Sequence, residues 1–579
     1  MLYKYDRAAL NKELSFINIT GYTKVQKMDP KKETLEIILY SDELKYQILF
    51  YIDICSKNNN FFKKESKVIT SGEVNKKKLE TLISSFYESY IPEQHEKLSD
   101  FFLFLKDYLD INNNTLSKLN EKISFFDKLD TSNNKQLIKN TILIHLFAIL
   151  LKIFVGCFGY SGENDPPKFG DFEAQRHWME ITINIAPKDW YTNSINNTKE
   201  YWPLDYPPMS GYHSFILGHI LNKIMPDSVE LIKSHGFENY RFKIIMRLFV
   251  LISDLITFHI GVNLFCWFIF VYKQRLKLKK IKYIQYYCAL LLILINPLMV
   301  IIDHGHFQFN NVMHGFFVIA LFCLYSENYL LAIIFYSFCV NYKQMGLYYA
   351  IPFPLYVLKK LFFEKNNNNN KLLSLVYIFI YGITTIITNV IIYLPWIKNK
   401  NINNVFNRIF PVHRGVFEDK VATFWCILNI FIKLNKIFSQ EKLIKLCLLL
   451  TLMGCVIPVL CILLAKKLTN KIATQSFFII SLTYYLFSFH VHEKTIILPF
   501  LAYLLNLFHM KNLLPSFSTV AMFSLYPLLK RERQVIPYFT TTVFFYILCK
   551  FILKNINANI KKESELLNKI KKKTKKKKN

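Results

Sequence analysis

The segment GDFEAQRHWMEIT, Gly170 to Thr182, gathers acidic, basic and aromatic residues directly after an apolar run. Read as a helix, it places four residues on one face at i, i+4, i+7 and i+11, namely Asp171, Gln175, Trp178 and Thr182. A carboxylate could take a proton from a sugar hydroxyl, an amide could bind hydroxyls, and an indole offers a sugar ring an apolar plane. The alternative is an interfacial amphipathic helix with an Arg176–Glu180 ion pair, and spacing alone slightly favours it.

A second acid stands in LDYPP, Leu204 to Pro208. Tyr206 must be extended because Pro207 follows it, and the two prolines stiffen the loop. Asp205 could contact a substrate, but a helix-capping or turn role is equally compatible with its position.

Histidines mark two further clusters. In IDHGHFQFN, Asp303, His304 and His306 could ligate a metal, but no additional ligand accompanies them at a regular spacing. Hydrogen bonding is therefore the favoured interpretation. In HVHEK, His492 to Lys494 begin an apolar run, where a structural cluster at the membrane interface is an equally good interpretation.

A basic loop contains Arg408, His413, Arg414 and Lys420. Such loops are usually only solvated. Arginine can, however, bind a phosphate through two hydrogen bonds, so a phosphate or pyrophosphate site is the alternative.

The elements that must position these clusters are membrane helices. The chain of 579 residues is 52% hydrophobic and 16% aromatic, and its apolar residues are clustered in runs between about residues 138 and 553. Several runs approach or reach the roughly 20 residues that span the hydrocarbon core. Since backbone polar groups in lipid must be satisfied within the segment, we predict an all-α polytopic membrane protein.

The net charge of +30 does not indicate a nucleic-acid-binding protein. The surplus lies in the N-terminal region, short loops and the Lys-rich tail, and lysine-rich loops are expected on the cytoplasmic side of membrane helices. The eleven cysteines show no CxxC pair, which argues against a disulfide framework or a zinc ribbon. The first residues lack an apolar core, so we expect the first span to direct insertion.

Charge divides the chain into three parts. Residues 1–135 form a polar, Lys- and Asn-rich cytosolic extension, helical or partly disordered, with amphipathic helices predicted over Lys77–Tyr90 and Lys97–Leu109. Residues 136–553 form the transmembrane domain, and residues 554–579 a Lys-rich cytosolic tail. The first helix, about 138–158, delivers a long loop, about 160–242, to the far side of the membrane. Between Ser161 and Met209 that loop carries eight Asp or Glu against four Lys or Arg.

Continuing this topology gives about twelve spans. Tyr212–Ile224 is short enough to lie at the interface, and the next clear span is about 243–271. The clusters described above all fall on the far side. KRER, Lys530 to Arg533, also falls there, against the rule for basic loops, so the last spans are the weakest part of the prediction.

Six motifs in this order resemble those of the endoplasmic-reticulum glucosyltransferases that use dolichyl-phosphate-glucose. They are SGENDPPKFGDFEAQRHWMEIT, YWPLDYPPMSGYHS, IDHGHFQFN, NYKQMGLYY, RIFPVHRGVFEDKVATFWC and FSFHVHEKTIILP, and the resemblance covers roughly residues 150–530. GDFEAQRHWMEIT and IDHGHFQ are most similar to members that add the first glucose to the lipid-linked oligosaccharide. The final KKKN resembles a dilysine retrieval signal.

The resemblance implies a GT-C fold with a long first luminal loop. It implies that Asp171 is the general base, that His492 lies near the donor phosphate, and that neither a metal nor a cofactor is needed. The co-substrates would be dolichyl-phosphate-glucose and a dolichyl-diphosphate oligosaccharide, in the endoplasmic-reticulum membrane with the site facing the lumen. Other polar residues of these motifs are expected to bind substrates: Glu173, Gln175, Arg176, His177, Trp178, Asp205, Tyr206, Asp303, His304, His306, Gln308, Lys343, Gln344, Arg414, Glu418, Asp419, Lys420, Glu493 and Lys494.

Three alternatives stay open at this stage. The chain could be the sister enzyme that adds the second glucose, or a related transferase that uses dolichyl-phosphate-mannose. A polytopic transporter with a polar cavity is the alternative from another class, and inverted repeats, which would favour it, are not visible in the sequence.

Overall fold

The computed structural model describes residues 23–29, 34–41, 46–53, 62–70, 134–167, 169–272, 283–364, 371–410 and 421–576. Most of them are helical. The α-helices, some with π-helical turns, are α1 Asn134–Gly156, α2 Gly170–Asn184, α3 Pro208–Ile224, α4 Tyr240–Tyr272, α5 Tyr283–Leu294, α6 Pro297–Phe307, α7 Asn310–Tyr325, α8 Tyr329–Tyr342, α9 Pro352–Lys359, α10 Lys371–Lys398, α11 Ile402–Ile409, α12 Phe424–Phe431, α13 Leu434–Ile437, α14 Gln440–Leu464, α15 Asn470–Phe487, α16 Ile497–Leu504, α17 Leu507–Met510, α18 Leu514–Arg531 and α19 Val535–Lys576.

Short 3-10 turns join several of these helices. They are Pro187–Asp189, Pro226–Val229, Gln344–Tyr349, Glu493–Ile496 and Lys511–Leu513. A π-helical turn, Lys360–Glu364, follows α9.

Four strands lie in the N-terminal extension, where the sequence analysis expected helices or disorder. They are β1 Thr23–Asp29, β2 Thr34–Ser41, β3 Tyr46–Asp53 and β4 Phe62–Thr70, and they form one antiparallel sheet in the order β1-β2-β3-β4. The segments TLEIILYS and YQILFYID are rich in the β-branched and aromatic residues that favour strands. The predicted helices at 77–90 and 97–109 lie outside the described residues. The sheet belongs to a different compact unit from the helices that position the site.

The prediction of a helical membrane protein is confirmed. Five helical segments of the described residues are long and apolar enough to cross a membrane: Lys135–Gly156, Tyr240–Tyr272, Leu372–Lys398, Gln440–Leu464 and Val535–Asn555. The pair α5 and α6, bent by 46°, counts as a sixth if it is one span. The count of about twelve is not confirmed, because helices such as α7 and α8 are short.

Large apolar side chains are exposed along several of these helices. Leu150 on α1, Phe379 on α10, Ile457 on α14 and Ile547 on α19 are each more than 60% exposed. A continuous apolar surface of this kind suits lipid rather than water.

The helix α6 organises the interior of the bundle. Its π-helical end, Ile301–Phe307, packs among α1, α2, α4 and α19. Every residue of this segment is buried. The segment therefore carries the HGH sequence into the protein interior next to α2.

Candidate active site

The helix predicted from GDFEAQRHWMEIT is present as α2, and Asp171 lies in its first turn. Phe169 and Gly170, the two residues before Asp171, have positive φ angles of 61° and 72°. A side chain on Gly170 would place Cβ 2.8 Å from the backbone N of Gly162, so the turn requires glycine there. The backbone N–H of Asp171 donates to Oγ of Ser161 at 3.1 Å, which ties the start of α2 to the preceding loop.

Three donors converge on Oδ2 of Asp171. Nζ of Lys494 lies 2.5 Å away, Nε2 of His306 2.6 Å away and Nε2 of Gln308 2.6 Å away. The side chain of Asp171 is 22% exposed and lines a cavity. Among the described residues no hydrogen bond to its other oxygen, Oδ1, is present, so this oxygen is available to a ligand.

The electrostatics of this cluster favour the carboxylate. Burial alone would raise the pKa of Asp171, but the nearby charges of Lys494 and His306 outweigh burial and hold the pKa well below its ordinary value. Asp171 is therefore ionised at neutral pH. Conversely, burial opposes the charge on Lys494, but Asp171 and Glu493 raise its pKa above the ordinary value.

A cavity of roughly 1180 Å³ extends from Asp171. Of the predicted site residues, those that line it are Asp171, Gln175, Trp178, Asp205, Tyr206, Gln308, Lys343, Gln344, His492 and Lys494. Apolar side chains, among them Met345, Leu347 and Leu498, also line it. The cavity is thus lined by both charged and apolar side chains, as ligand sites in proteins commonly are.

Lys343, the residue directly after α8, lines the cavity. Its Nζ donates to Oε1 of Gln308 at 2.9 Å and to Oδ1 of Asn310 at 2.6 Å, and lies 4.4 Å from the centre of the Tyr206 ring. Gln308 in turn donates to Asp171. This chain of hydrogen bonds connects a second buried lysine, whose pKa burial lowers to about 7, to the Asp171 cluster.

The prediction that four residues share one face of α2 holds for three of them at the cavity. Asp171, Gln175 and Trp178 line the cavity, but Thr182 does not, because its hydroxyl donates to the carbonyl of Trp178 within the same helix at 2.6 Å. Trp178 is only 4% exposed, and its indole N–H donates to the carbonyl of Trp202 at 3.1 Å. Asp205 does not cap α3, whose N-cap is Pro207; instead it lines the cavity.

The opposite face of α2 does not reach the cavity, although Glu173, Arg176 and His177 were predicted to bind substrate. The Arg176 guanidinium, fully buried, lies 2.6 Å from Glu173 and 2.7 Å from Glu180. These carboxylates also accept from the backbone N–H groups of Gly236 and Ile232. The physical reason for the correction is that these side chains hold the loop after α3 against α2. The predicted Arg176–Glu180 pair is thus present, but in the interior rather than at a membrane interface.

One group of side chains on this face has metal-ligand spacing. Atoms of His177, Glu180 and His235 lie within 4.8 Å of one another. The oxygens of Glu180 are already engaged by Arg176 and by the N–H of Ile232. Burial would raise the pKa of Glu180, but hydrogen bonding to His177 and the charge of Arg176 lower it to about 2.

The cluster in IDHGHFQFN makes hydrogen bonds, as the sequence analysis favoured. Asp303 accepts from Asn310 and from the backbone N–H of Asn311, and His304 lies 2.8 Å from Asp254. Both residues are buried and neither lines the cavity, unlike the prediction, because the π-helical turn directs them into the bundle. His306 does not line the cavity but contacts Asp171, which does.

The remaining predicted residues fall into two groups. Glu493 does not line the cavity. Arg414, Glu418, Asp419 and Lys420 lie outside the described residues. Arg408, which the sequence analysis placed in the same basic loop, lies in the last turn of α11 and lines the cavity.

Sequence reasoning missed Glu532. It lies between α18 and α19, and both carboxylate oxygens are 2.7 Å from Nδ1 of His306. The only signal was that the topology placed KRER on the same side as the histidine clusters. The contact places Glu532 next to the HGH segment of α6.

Comparison with known proteins shows the family of the chain. A model of the ALG6, ALG8 glycosyltransferase family matches residues 148–576. Together with the helical bundle, this match defines a polytopic membrane glycosyltransferase. The chain belongs to the ALG6, ALG8 glycosyltransferase family, and membership supports the GT-C fold class predicted from the sequence.

Two relatives show how far the similarity extends. The "Probable dolichyl pyrophosphate Man9GlcNAc2 alpha-1,3-glucosyltransferase" of Dictyostelium discoideum is 38% identical over 444 residues, which are 76% of this chain and 82% of the relative. The Saccharomyces cerevisiae protein "Dolichyl pyrophosphate Man9GlcNAc2 alpha-1,3-glucosyltransferase" is 35% identical over 407 residues, 68% of this chain and 71% of the relative. The crystal structure of ArnT from Cupriavidus metallidurans bound to undecaprenyl phosphate is 12% identical over 71% of each chain, with a TM-score of 0.37.

Proposed function

We propose that this protein transfers glucose from dolichyl-phosphate-glucose to a terminal mannose of a dolichyl-diphosphate-linked high-mannose oligosaccharide. The linkage formed is α-1,3, and the reaction takes place in the endoplasmic-reticulum membrane with the site facing the lumen. The names of the relatives support the acceptor and the linkage. The observation that carries the proposal is the arrangement of Asp171, with Oδ2 held by three donors and Oδ1 available at the cavity.

In the proposed reaction Asp171 is the general base. Oδ1 accepts the proton of the mannose 3-hydroxyl, and the hydroxyl oxygen forms a bond to C1 of glucose. The bond from C1 to the phosphate oxygen breaks, and its electron pair leaves with dolichyl phosphate. Because attack and departure take place on opposite faces of C1, a β-linked donor gives an α-linked product.

The low pKa of Asp171 fits general base catalysis by a weak base. The carboxylate is always ionised at neutral pH but is weakly basic, so it accepts the proton late, as the new C–O bond forms. Its role is then mainly to orient the hydroxyl, which must lie about 2.6–3.2 Å from the oxygen that takes the proton.

The leaving phosphate gains negative charge as its bond to C1 breaks. Cationic groups that line the cavity, among them Lys494 and Arg408, would stabilise that charge. We propose that His492, which lines the same cavity, lies near the donor phosphate. This mechanism requires no metal ion or other cofactor.

The test is transfer by the purified protein in detergent or liposomes, supplied with dolichyl-phosphate-glucose and defined lipid-linked oligosaccharides. We expect glucose transfer to the acceptor that lacks glucose, and at least a hundredfold loss in Asp171→Asn, in line with removal of a general base. Asp227→Asn, an exposed residue of the same loop, is the matched control.

Three results would contradict the proposal. Full activity of Asp171→Asn would remove Asp171 as the base. Transfer only to an acceptor that already carries one glucose would assign the second glucose instead, and no transfer to any mannose-terminated acceptor would overturn the glucosyltransferase.

A further inference from the structure

Glu532 stands behind the Asp171 cluster, away from the cavity. Its carboxylate contacts Nδ1 of His306, while Nε2 of the same ring contacts Oδ2 of Asp171 at 2.6 Å. Glu532 is 5% exposed and His306 1% exposed. The imidazole is therefore held between two carboxylates inside the protein.

This geometry determines the protonation of the ring. A neutral imidazole has one N–H, so it can donate to only one of two ionised carboxylates. With a carboxylate at each nitrogen, only the doubly protonated imidazolium satisfies both contacts. Nζ of Lys494 lies 3.1 Å from Nε2, a close approach of two donors that results because both bind the same oxygen of Asp171.

The charges of this group balance. Asp171 and Glu532 are negative, and His306 and Lys494 are positive, so the four sum to zero. Without Glu532 the remaining three would carry one excess positive charge in a buried place, which is unfavourable. The ring would then lose its Nδ1 proton more readily.

The backbone around Glu532 is held by close packing on two glycines and by hydrogen bonds of Gln534. The carbonyl of Glu532 would lie 2.4 Å from a Cβ at Gly159, so the absence of a side chain there permits the close approach. The side chain of Gln534 donates to the carbonyl of Gly159, and the N–H of Gln534 donates to Leu529 at 2.9 Å. Gly305, between the two histidines of α6, would likewise place a Cβ 2.9 Å from the Gln534 side chain.

We infer that Glu532 is a positioning residue for glucose transfer: it holds His306 as an imidazolium whose Nε2–H fixes Asp171 with Oδ1 toward the acceptor. This inference rests on the proposed function, in which Asp171 is the base. It assigns to Glu532 a role through His306, without contact with either substrate.

Several charged groups face His306 and decide its response to pH. They are Asp171 from α2, Lys494 from the turn Glu493–Ile496, and Glu532 from the loop after α18. Arg247 from α4 donates to the carbonyl of Gly305 at 2.8 Å, next to the ring in sequence. Of these, Glu532 and Asp171 favour the imidazolium and the other two oppose it. Removal of the Glu532 charge therefore makes His306 lose its proton at lower pH.

The experiment compares Glu532→Gln and Glu532→Asp with wild type over about pH 5.5 to 9, a window around the ordinary range of histidine. We expect kcat of Glu532→Gln to fall about tenfold at neutral pH with KM for both substrates nearly unchanged, the size of effect usual for a partner behind a reacting group. The alkaline limb of the profile of kcat against pH should lie at lower pH in Glu532→Gln than in wild type. More acidic buffer should therefore restore part of the activity of this variant. Glu532→Asp, which keeps the charge, should keep the position of the limb, and the exposed Glu230→Gln should behave as wild type.

A double-mutant cycle adds a second criterion. In a His306→Asn background, Glu532→Gln should cause no further loss, because its effect passes through the ring. A uniform loss at every pH, or equal losses in both backgrounds, would mean a structural role only and would overturn the inference. Unchanged activity of Glu532→Gln would also overturn it. If Glu532→Gln does not fold, a shifted limb in Glu532→Asp overturns the inference and an unshifted one supports it.

Failure of the proposed function is a separate result. If the wild-type protein transfers no glucose, the proposed function falls and this inference falls with it. If wild type transfers glucose and Asp171→Asn does not, but Glu532→Gln keeps the wild-type pH profile, only the inference falls.

Discussion

Nζ of Lys494 lies 2.5 Å from Oδ2 of Asp171, although 323 residues separate the two in the chain. The ammonium opposes the effect of burial on the carboxylate and is the first of the charges that hold the pKa of Asp171 low. This contact joins the first long loop after α1 to the turn before α16. It makes the ionisation of the proposed base depend on a distant segment.

Replacement of Lys494 by methionine should therefore change the acid limb of the activity profile. Without the ammonium, the largest of the charges that oppose burial is lost and the pKa of Asp171 rises, so the carboxylate is protonated at higher pH than in wild type. We therefore expect the acid limb of the activity profile to lie at higher pH in Lys494→Met than in wild type, each measured relative to its own maximum. The measurement is kcat for glucose transfer against pH, with the exposed Lys233→Met as control. Identical acid limbs in Lys494→Met and wild type would contradict this dependence.

Much of the site was predictable where the residues are close in sequence. The helical period alone placed Asp171, Gln175 and Trp178 on one face of α2, and all three line the cavity. The same reasoning failed for Thr182, since a threonine inside a helix can satisfy its hydroxyl on its own backbone. Periodicity identifies a face but not how far along the helix the cavity extends.

Long-range packing was not predictable. Glu173, Arg176 and His177 have the residue types of a binding site, but segments up to 63 residues away bury them. Glu532 contacts His306 across 226 residues, and nothing in KRER indicates a partner. Likewise, the strands of the N-terminal extension depend on pairing between segments, which a search for helical periodicity does not detect.

Loss of Arg176 should destabilise the protein rather than weaken substrate binding. Arg176→Ala leaves the buried carboxylates of Glu173 and Glu180 without their cation, which destabilises a fold by about 3–5 kcal/mol. We expect a clearly lower midpoint of thermal unfolding in detergent, followed by tryptophan fluorescence. The folded fraction should keep its KM for both substrates.

The control for Arg176 is the exposed pair of Lys233 and Glu230, whose side chains are 75% and 51% exposed. Lys233→Ala should leave the unfolding midpoint unchanged, because exposed ion pairs contribute about 1 kcal/mol or less. An unchanged midpoint in Arg176→Ala together with a raised KM would restore the binding role that the sequence suggested.

Gly170→Ala should disable the site through the backbone. The residue has a φ of 72°, and a Cβ would lie 2.8 Å from the backbone of Gly162, so the start of α2 must shift. Since Asp171 follows directly, we expect kcat to fall about tenfold or more, because misplacement by about 1 Å can reduce a rate a hundredfold. Gly382→Ala on α10, where a Cβ meets nothing within 4 Å, should leave activity unchanged. Equal activities of the two variants would show that the position of Asp171 tolerates this shift.

Removal of metal ions should leave transfer intact. In the proposed reaction, lysine and arginine side chains along the cavity supply the positive charge for the leaving phosphate. We therefore expect unchanged kcat after treatment with excess EDTA and dialysis. A loss that added Mg²⁺ or Mn²⁺ reverses would assign part of that charge to a metal.

His492→Ala should act on the lipid donor and not on the oligosaccharide acceptor. The residue lines the cavity just before the turn Glu493–Ile496, whereas Asp205 and Arg408 line it from other segments. An imidazole there can donate to a phosphate oxygen, and one such bond to a charged group contributes about 1.5–3 kcal/mol. We expect KM for dolichyl-phosphate-glucose to rise about tenfold or more, with KM for the acceptor within about twofold of wild type.

His219→Ala, on an exposed part of α3, is the matched control. A raised KM for the acceptor alone would move His492 from the donor to the acceptor part of the cavity, and the phosphate would then have to be bound by Lys343, Lys494 or Arg408.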